Sequence, residues 1–362
     1  MLDQELSLFY DTAPILSINE LQCPLPGEEV LWMSPNSEVW HSTMQSIYAF
    51  TPNVNPVAPS LLDFFQEFIH DNLSGRRNNL TPQQLRLLLH PLQSMLFHLR
   101  QMLSCFPEVL PPRRPAAGTV TKATTMQRLE EVQSLLQKWY DLTMNFEKAN
   151  PGCPVTRCNL VLYHLVALNA VTNFPEIERL ARRDRFDGSY WELSHRRNRC
   201  IIQREEAVLH CGQVFKLLRL MPDQYRPNWW AAAAYRATLV LWAESVSRVD
   251  PSYQTEKTNV TNGTSGSPSS GGLVPVDQVS PGDPAAMAYV WSRDGVAVLT
   301  QPDKTTMGLD KPADVLNYGI RSLDEAVSSR IVDGIRRKLI QLDKYWDVHL
   351  RTNSTLGNSA AA

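Results

Sequence analysis

Apolar residues recur every three or four positions through most of this chain, and that spacing is typical of amphipathic helices. It is clearest over 85–102, where leucines and methionines keep the interval, and again over 124–149. Thr81 and Pro82 precede the first of these stretches in the order expected for an N-cap and a first-turn proline. Residues 155–172 are apolar nearly all round, which predicts a buried, central helix.

The predicted fold class is therefore all-α, a multi-helix bundle of about seven to nine helices with one disordered insertion. A turn at Asp294-Gly295 and a short β piece within 291–301 are the exceptions to helix. The predicted helices span residues 59–70, 81–102, 124–149, 155–172, 196–221, 228–249, 311–327 and 329–350.

Composition divides the chain into four predicted segments. Residues 1–252 form one helical domain, and 253–284 form a flexible linker because Gly, Ser, Thr and Pro replace nearly all apolar residues there. Residues 285–350 are predicted to be C-terminal helices that pack back on the same domain, since Ile331, Ile335, Leu339 and Leu342 need an apolar partner. Residues 351–362 are predicted to be a disordered tail.

Charge and targeting signals exclude several classes of protein. The chain has 35 Lys and Arg against 37 Asp and Glu, so its bulk electrostatics do not favour strong binding to nucleic acid. It carries no basic segment followed by an apolar run at its start, and therefore no predicted signal peptide. No uncharged apolar window is long enough for a transmembrane helix, so no membrane contact is predicted.

Residue patterns that would carry catalysis or bind metal are missing from the sequence. Cys153 and Cys158 have a spacing seen in zinc ligand pairs, but no second Cys/His pair accompanies them, and buried thiols are the favoured interpretation. There is no G-x-S-x-G elbow, H-E-x-x-H motif, Walker loop or dinucleotide fingerprint. We predict no catalytic residue, no metal ligand and no cofactor in this chain.

One cluster remains as a candidate ligand pocket, formed by Trp229, Trp230 and His164. The adjacent tryptophans point in different directions on a helix, so one could line a groove while the other packs inside. Such aromatics are more often core residues than part of a cofactor site. His164 lies within the apolar helix, where a histidine more often hydrogen-bonds a backbone carbonyl than acts in function.

Five blocks of the sequence, in order, resemble the fungal-specific transcription factor domain, also called the middle homology region. The resemblance covers roughly residues 6–346 apart from the linker. The blocks are LSLFYDTAPILSINELQCPLP (6–26), LRLLLHPLQSMLFHLRQ (85–101), LVLYHLVALNAVTNFPEIERLARR (160–183), the segment Cys211–Arg248 and SSRIVDGIRRKLIQL (328–342).

This resemblance implies a nuclear, non-enzymatic regulator of RNA polymerase II transcription. Related regulators place C2H2 zinc fingers, and sometimes a zinc cluster, ahead of the helical domain, and the cysteine spacing of this chain matches neither zinc module. The resemblance begins partway through the family domain, so 1–252 is expected to be an N-terminally incomplete regulatory domain. DNA would be contacted only through an absent zinc-finger module, which would hold the zinc, or through a partner. The domain could form homo- or heterodimers and act on the transcription machinery.

Two other functions stay open on the sequence. The first is a truncated regulator that cannot bind DNA itself and acts by pairing with a full-length factor. The second is an all-α enzyme that binds a small molecule, although the chain lacks the acidic metal-binding run that helical cyclases use and no acid–base pair stands out. Target genes, ligand, and activation versus repression are not encoded in any motif.

Overall fold

The computed structural model describes residues 1–48, 59–75, 80–106, 122–182, 200–249, 272–325 and 329–359. The chain divides into two compact units. One contains Met1–Ser7 and Ala13–Pro151, and the other contains Leu8–Thr12 and Gly152–Ala362. Most of the described residues are helical, as predicted, but thirteen α-helices occur among them where seven to nine were expected, and a small sheet is also present.

The first unit is helical in all its named elements. Two capping boxes fix helix starts in it: Ser60 with Asp63, and Thr81 with Gln84, the second beginning at the predicted N-cap. Its helices are α1 Leu2–Tyr10, whose last residues belong to the second unit, α2 Glu29–Trp32, α3 Ser37–Tyr48, α4 Leu61–Ile69, α5 Pro82–Ser104 and α6 Lys122–Ala149.

Helices α5 and α6 form the core of the first unit. Trp139 of α6 is fully buried, and its indole Nε1 donates a 2.7 Å hydrogen bond to the Leu85 carbonyl of α5. At the start of the chain, Asp3 contacts His90 at 3.0 Å and Glu5 pairs with Arg86. These polar contacts attach α1, for which the sequence predicted no helix, to α5.

The second unit is built around α7 (Pro154–Val171), the helix predicted to be central. Fourteen of its 18 residues are buried. The other helices of this unit are α8 Phe174–Arg182, α9 Arg204–Arg219, α10 Trp230–Val249, α11 Pro284–Met287, α12 Pro312–Asp324 and α13 Arg330–Ser359. Helix α9 packs against α7 and α10, and α12 packs against α10 and α13.

Two glycines allow close contacts in this unit, one between helices and one between a helix and the segment after β1. A Cβ on Gly319 of α12 would lie 2.4 Å from side-chain atoms of Thr238 on α10, so the two helices approach more closely than an alanine allows. A Cβ on Gly212 of α9 would lie 2.3 Å from the carbonyl oxygen of Val276. Both distances are shorter than real Cβ contacts, so these helix surfaces require a glycine.

The small sheet has strands β1 Leu273–Pro275, β2 Val296–Thr300 and β3 Thr306–Gly308. Strand β1 pairs in parallel with β2, and β3 pairs antiparallel with β2. The short β piece is thus confirmed, and the chain bends at Gly295, φ 105°, directly before β2. The connection from β1 to β2 contains α11 and a π-helical turn at Ala288–Ser292.

Several predicted boundaries were wrong. The predicted linker 253–284 includes 272–284, which is folded: it contains β1, and Val276 is fully buried; residues 253–271 lie outside the described part. The tail predicted as disordered is helical to Ser359. Of the helix predicted over 196–221, residues 196–199 lie outside the described part, and the helix that is described begins at Arg204. The charged run after Pro175 is helical as far as Arg182, where α8 ends, and its last residues, 183–185, also lie outside the described part.

Helix α13 buries part of the apolar face that was expected to pack back on the domain. Leu339 and Leu342 of α13 are buried, Ile335 is half-buried, and Ile331 is exposed. Trp346 of α13 meets Trp242 of α10 edge to face, with ring centroids 5.2 Å apart. This burial explains why the helix returns to the second unit.

Candidate functional site

The two tryptophans of the predicted pocket are both packed against protein side chains. Trp229 is 8% exposed and stacks on Phe9, with ring centroids 5.5 Å apart. Trp230 is 9% exposed and faces the guanidinium of Arg226 at 5.1 Å. Their positions at the start of α10 agree with the expectation that aromatics here join the core, while the pocket itself remains a prediction.

His164, the third predicted residue, lies in the middle of α7 and pairs with a second histidine. Its Nδ1 lies 2.8 Å from Nδ1 of His210 on α9, and the ring of Tyr163 packs edge-on against it. Two nitrogens this close share a single hydrogen, so one ring donates and the other accepts. Burial, reinforced by His210, holds the pKa of His164 well below 6.5. Sequence reasoning favoured a carbonyl partner and did not identify His210.

A buried arginine anchors residues 8–12 within the second unit. Arg236 of α10 donates to the Leu8 carbonyl and, at 2.6 Å, to the carboxylate of Asp11. Its guanidinium also lies 4.0 Å from the ring centroid of Phe174. Arg236 is only 3% exposed, and its ion pair and hydrogen bonds offset the desolvation penalty of burying the charge.

Glu178 of α8 connects three helices of the second unit. It accepts hydrogen bonds from Tyr235 of α10 at 3.0 Å and from Lys338 of α13 at 3.2 Å. Burial alone would raise the pKa of Glu178, but the charge of Lys338 and the Tyr235 hydroxyl outweigh it and lower the pKa below its usual value. Burial and the charge of Glu178 raise the pKa of Tyr235.

Asp277 is a buried, ion-paired carboxylate that the sequence analysis did not single out, because it lies in the predicted linker. It is fully buried, pairs with Arg219 at 2.5 Å, and accepts hydrogen bonds from both the backbone and the hydroxyl of Thr300. Tyr318 also donates to it at 3.2 Å. Burial, and then the charge of Asp277, raise the pKa of Tyr318. The one sequence signal was the apolar stretch Leu273–Val276 preceding this aspartate in an otherwise polar region.

A cleft of about 190 Å³ lies beside this cluster, lined by Arg219, Thr300, Tyr318 and Arg321 among others. Its volume corresponds to a few water molecules. Asp277 already has four donors, and Arg321 donates to Gln301 at 3.1 Å. The arrangement therefore serves to attach 276–300 to α9 and α12 more than to hold a ligand.

The residues tested as zinc ligands do not come together as a site. The thiol of Cys158 is buried, with its sulfur 3.9 Å from the sulfur of Met221 and 3.9 Å from the Tyr225 carbonyl oxygen. Throughout the described ranges, no group of three or more His, Cys, Asp and Glu side chains could hold a metal ion. The zinc that the family resemblance implies was expected in a zinc-finger module and not among these side chains.

None of the helices in the described part of the chain has both the length and the apolar character needed to span a bilayer.

Over nearly its whole length, this chain is similar to fungal proteins named transcription factors. One from Zymoseptoria tritici is 42% identical over 358 residues, covering 95% of this chain and 36% of that protein. Transcription factor PfmaH from Pestalotiopsis fici is 43% identical over 347 residues, covering 96% of this chain and 35% of that protein. Transcription factor 1 from Elsinoe fawcettii is 41% identical over 343 residues, covering 94% of this chain and 34% of that protein.

The chain thus spans about a third of the length of these relatives. No protein-family model matches the chain, and no solved structure matches it. Its homologues are therefore fungal transcription factors by name, and the aligned part is one region of each.

Proposed function

We propose that this chain is the regulatory, middle-homology part of a fungal RNA polymerase II transcription factor and acts in the nucleus. The observation that carries the proposal is the 41–43% identity, over at least 94% of the chain, to three proteins named transcription factors. No enzymatic role is proposed.

DNA contact belongs, in this proposal, to a zinc-finger module elsewhere in the whole protein or to a partner. Two observations support that division. The net charge of the chain is −2, which gives little general attraction to phosphate. The alignments also leave about two thirds of each relative outside the region that this chain matches. Mapping the 5′ end of the transcript tests this point, since an in-frame upstream zinc-finger module is expected and a proven start at Met1 would assign DNA contact to a partner.

A reporter fusion tests the regulatory role directly. Residues 1–362 would be fused to an unrelated DNA-binding domain and compared with that domain alone on a reporter of intermediate basal output. The fusion is expected to raise or lower transcription. Unchanged output from a nuclear fusion protein present at the same level would contradict the proposal. A second fusion carrying Arg236→Leu, which removes a buried anchor of the fold, should lose the effect.

Pairing with a full-length factor is a second candidate, and a specific surface supports it. The short helix α2 exposes Val30 at 63% and Trp32 at 88%, and Met33 follows at 72%. Neighbouring exposed apolar side chains are characteristic of protein–protein contacts. Light scattering on the purified chain checks this candidate: a dimer that dissociates on Trp32→Ser supports pairing, and a monomer that captures no full-length relative when the two are mixed would remove it.

A further inference from the structure

The first unit contains a groove of about 780 Å³ that no sequence pattern predicted. It is bounded by residues 14–19, the end of α4, the middle of α5 and the first half of α6. Small-molecule sites in proteins usually measure about 300–1,000 Å³ and are lined mainly by apolar side chains with a few polar groups. The groove therefore has the dimensions of a ligand site.

Apolar side chains from separate elements form the walls of this groove. Met95 and Leu99 are half-buried on α5, and Leu135 is half-buried on α6. Ile15 and Leu16 form the lip, and they are 80% and 44% exposed. Isolated exposed apolar residues need no explanation, but two consecutive ones at the mouth of an apolar groove extend its contact surface.

The lip is held in place by hydrogen bonds to Asp3. The backbone amides of Ile15 and Leu16 donate to the two carboxylate oxygens of Asp3 at 2.9 and 3.2 Å. Asp3 is itself bound to Nε2 of His90 at 3.0 Å. A contact surface that is already positioned loses less entropy when a ligand binds, which favours affinity.

The polar groups of the groove select for a neutral ligand. Arg128 and Glu131 are paired with each other at 2.8 Å, so neither presents an uncompensated charge. Nδ1 of His98 lies 2.7 Å from the Ser94 carbonyl oxygen. Because a carbonyl oxygen only accepts, Nδ1 carries the hydrogen, and in the neutral ring Nε2 is left as an acceptor. A ligand hydroxyl would complement that nitrogen.

We propose that this groove binds a neutral, largely apolar small molecule that carries a hydroxyl group, with the apolar body against Met95, Leu99 and Leu135 and the hydroxyl donating to Nε2 of His98. The lip residues Ile15 and Leu16 cover the bound molecule. This assignment concerns binding alone and holds whether or not the chain regulates transcription.

Methyl NMR on the intact chain, labelled with ¹³C at its methionine methyl groups, tests the proposal. The probes are 4-propylphenol and its methyl ether, 4-propylanisole, which lacks the hydroxyl donor. The Met95 signal, assigned with Met95→Leu, should shift saturably with the phenol. The signal of Met102, which is on the same helix but does not line the groove, should stay in place. The ether should bind about fivefold more weakly, the worth of one hydrogen bond.

The variant His98→Phe keeps an aromatic ring and removes the acceptor. It should weaken phenol binding about fivefold, to the level of the ether, and leave ether binding unchanged. The matched control His41→Phe, at an exposed position outside the groove, should keep the wild-type difference between the two probes.

Three results would overturn the proposal. In the first, neither probe shifts the Met95 signal up to its solubility limit. In the second, Met95 and Met102 shift together without saturation, which indicates general apolar adsorption. In the third, only a leucine-rich amphipathic peptide shifts Met95, which would make the groove a protein-docking surface. The wild-type measurement decides among these even if a variant fails to fold.

Discussion

Replacing Gly212 by alanine tests whether residues 276–280 are an integral part of the second unit. The new Cβ would lie 2.3 Å from the carbonyl oxygen and 2.8 Å from the Cβ of Val276. Val276 begins the segment 276–280, which is also bound to α9 by hydrogen bonds from the side chains of Gln213 and Lys216. Because the clash involves backbone, side-chain rotation cannot relieve it, and the segment must move.

The magnitude follows from what that movement breaks. Exposing Val276, which is fully buried, costs about 2 kcal/mol. The two hydrogen bonds from Gln213 to the carbonyls of Val276 and Val279 contribute about 1 kcal/mol each. Alanine returns about 1 kcal/mol through its higher helix propensity. The expected net loss in free energy of unfolding is about 3 kcal/mol, or roughly 6–12 °C in Tm for a unit of this size.

Thermal and denaturant unfolding followed by circular dichroism measure this loss. The matched control is Gly334→Ala, because Gly334 is an exposed glycine in α13 with no atom within 4 Å of the added Cβ. That variant should gain up to about 1 kcal/mol from helix propensity alone. If Gly212→Ala proved as stable as Gly334→Ala, the close approach of Val276 to α9 and the reasoning built on it would be wrong.

Three further changes probe the second unit. Gly319→Ala should lower the free energy of unfolding by about 2 kcal/mol, and adding Thr238→Ala should recover part of it; independent effects in a double-mutant cycle would contradict the close helix contact. His164 has a folded pKa well below 6.5, so its stabilisation is complete above pH 6.5 and is lost as pH falls, by up to about 1.4 kcal/mol per unit. In His164→Gln, the free energy of unfolding, measured with urea at pH 6.5 and pH 5, should fall less between the two pH values than in the wild type. An equal fall in both proteins would refute this. Arg236→Lys should lower the free energy of unfolding by about 2–3 kcal/mol, since lysine cannot reproduce the forked contacts to Asp11 and the Leu8 carbonyl. Limited proteolysis should then cut residues 8–12 faster than in the wild type, and an unchanged rate of cleavage would argue against this role.

The longer helices could be predicted because local spacing and capping determine them. Thr81 and Pro82 marked the start of α5, and the all-round apolar character of α7 marked it as central. Helix α8 was missed because it is short, nine residues, of which four are charged and only Phe174, Ile177 and Leu180 are buried. Whether a segment this short forms a helix depends on tertiary packing, which cannot be read from its composition.

The site was less predictable than the fold, since its contacts join residues far apart in sequence. Asp277 lies 58 positions from Arg219, and no local pattern relates them. Because the region around them is rich in Gly, Ser and Thr, the four residues Leu273–Val276 were assigned to the linker, although the first three form β1 and Val276 follows it directly. His164 was identified as a buried histidine, but its partner His210 could be recognised only once α7 and α9 lay side by side.

Anchoring of residues 8–12 by Arg236 has a consequence for the order in which this chain can fold on the ribosome. The carboxylate of Asp11 and the guanidinium that binds it are separated by 225 positions. At about 5–20 residues per second, translation takes roughly 11–45 s to add the stretch between them. During that time Leu8, which is 1% exposed in the folded chain, has no completed site to enter. The second unit is discontinuous in sequence, so it reaches its final structure only after the whole of 13–151 has been synthesised.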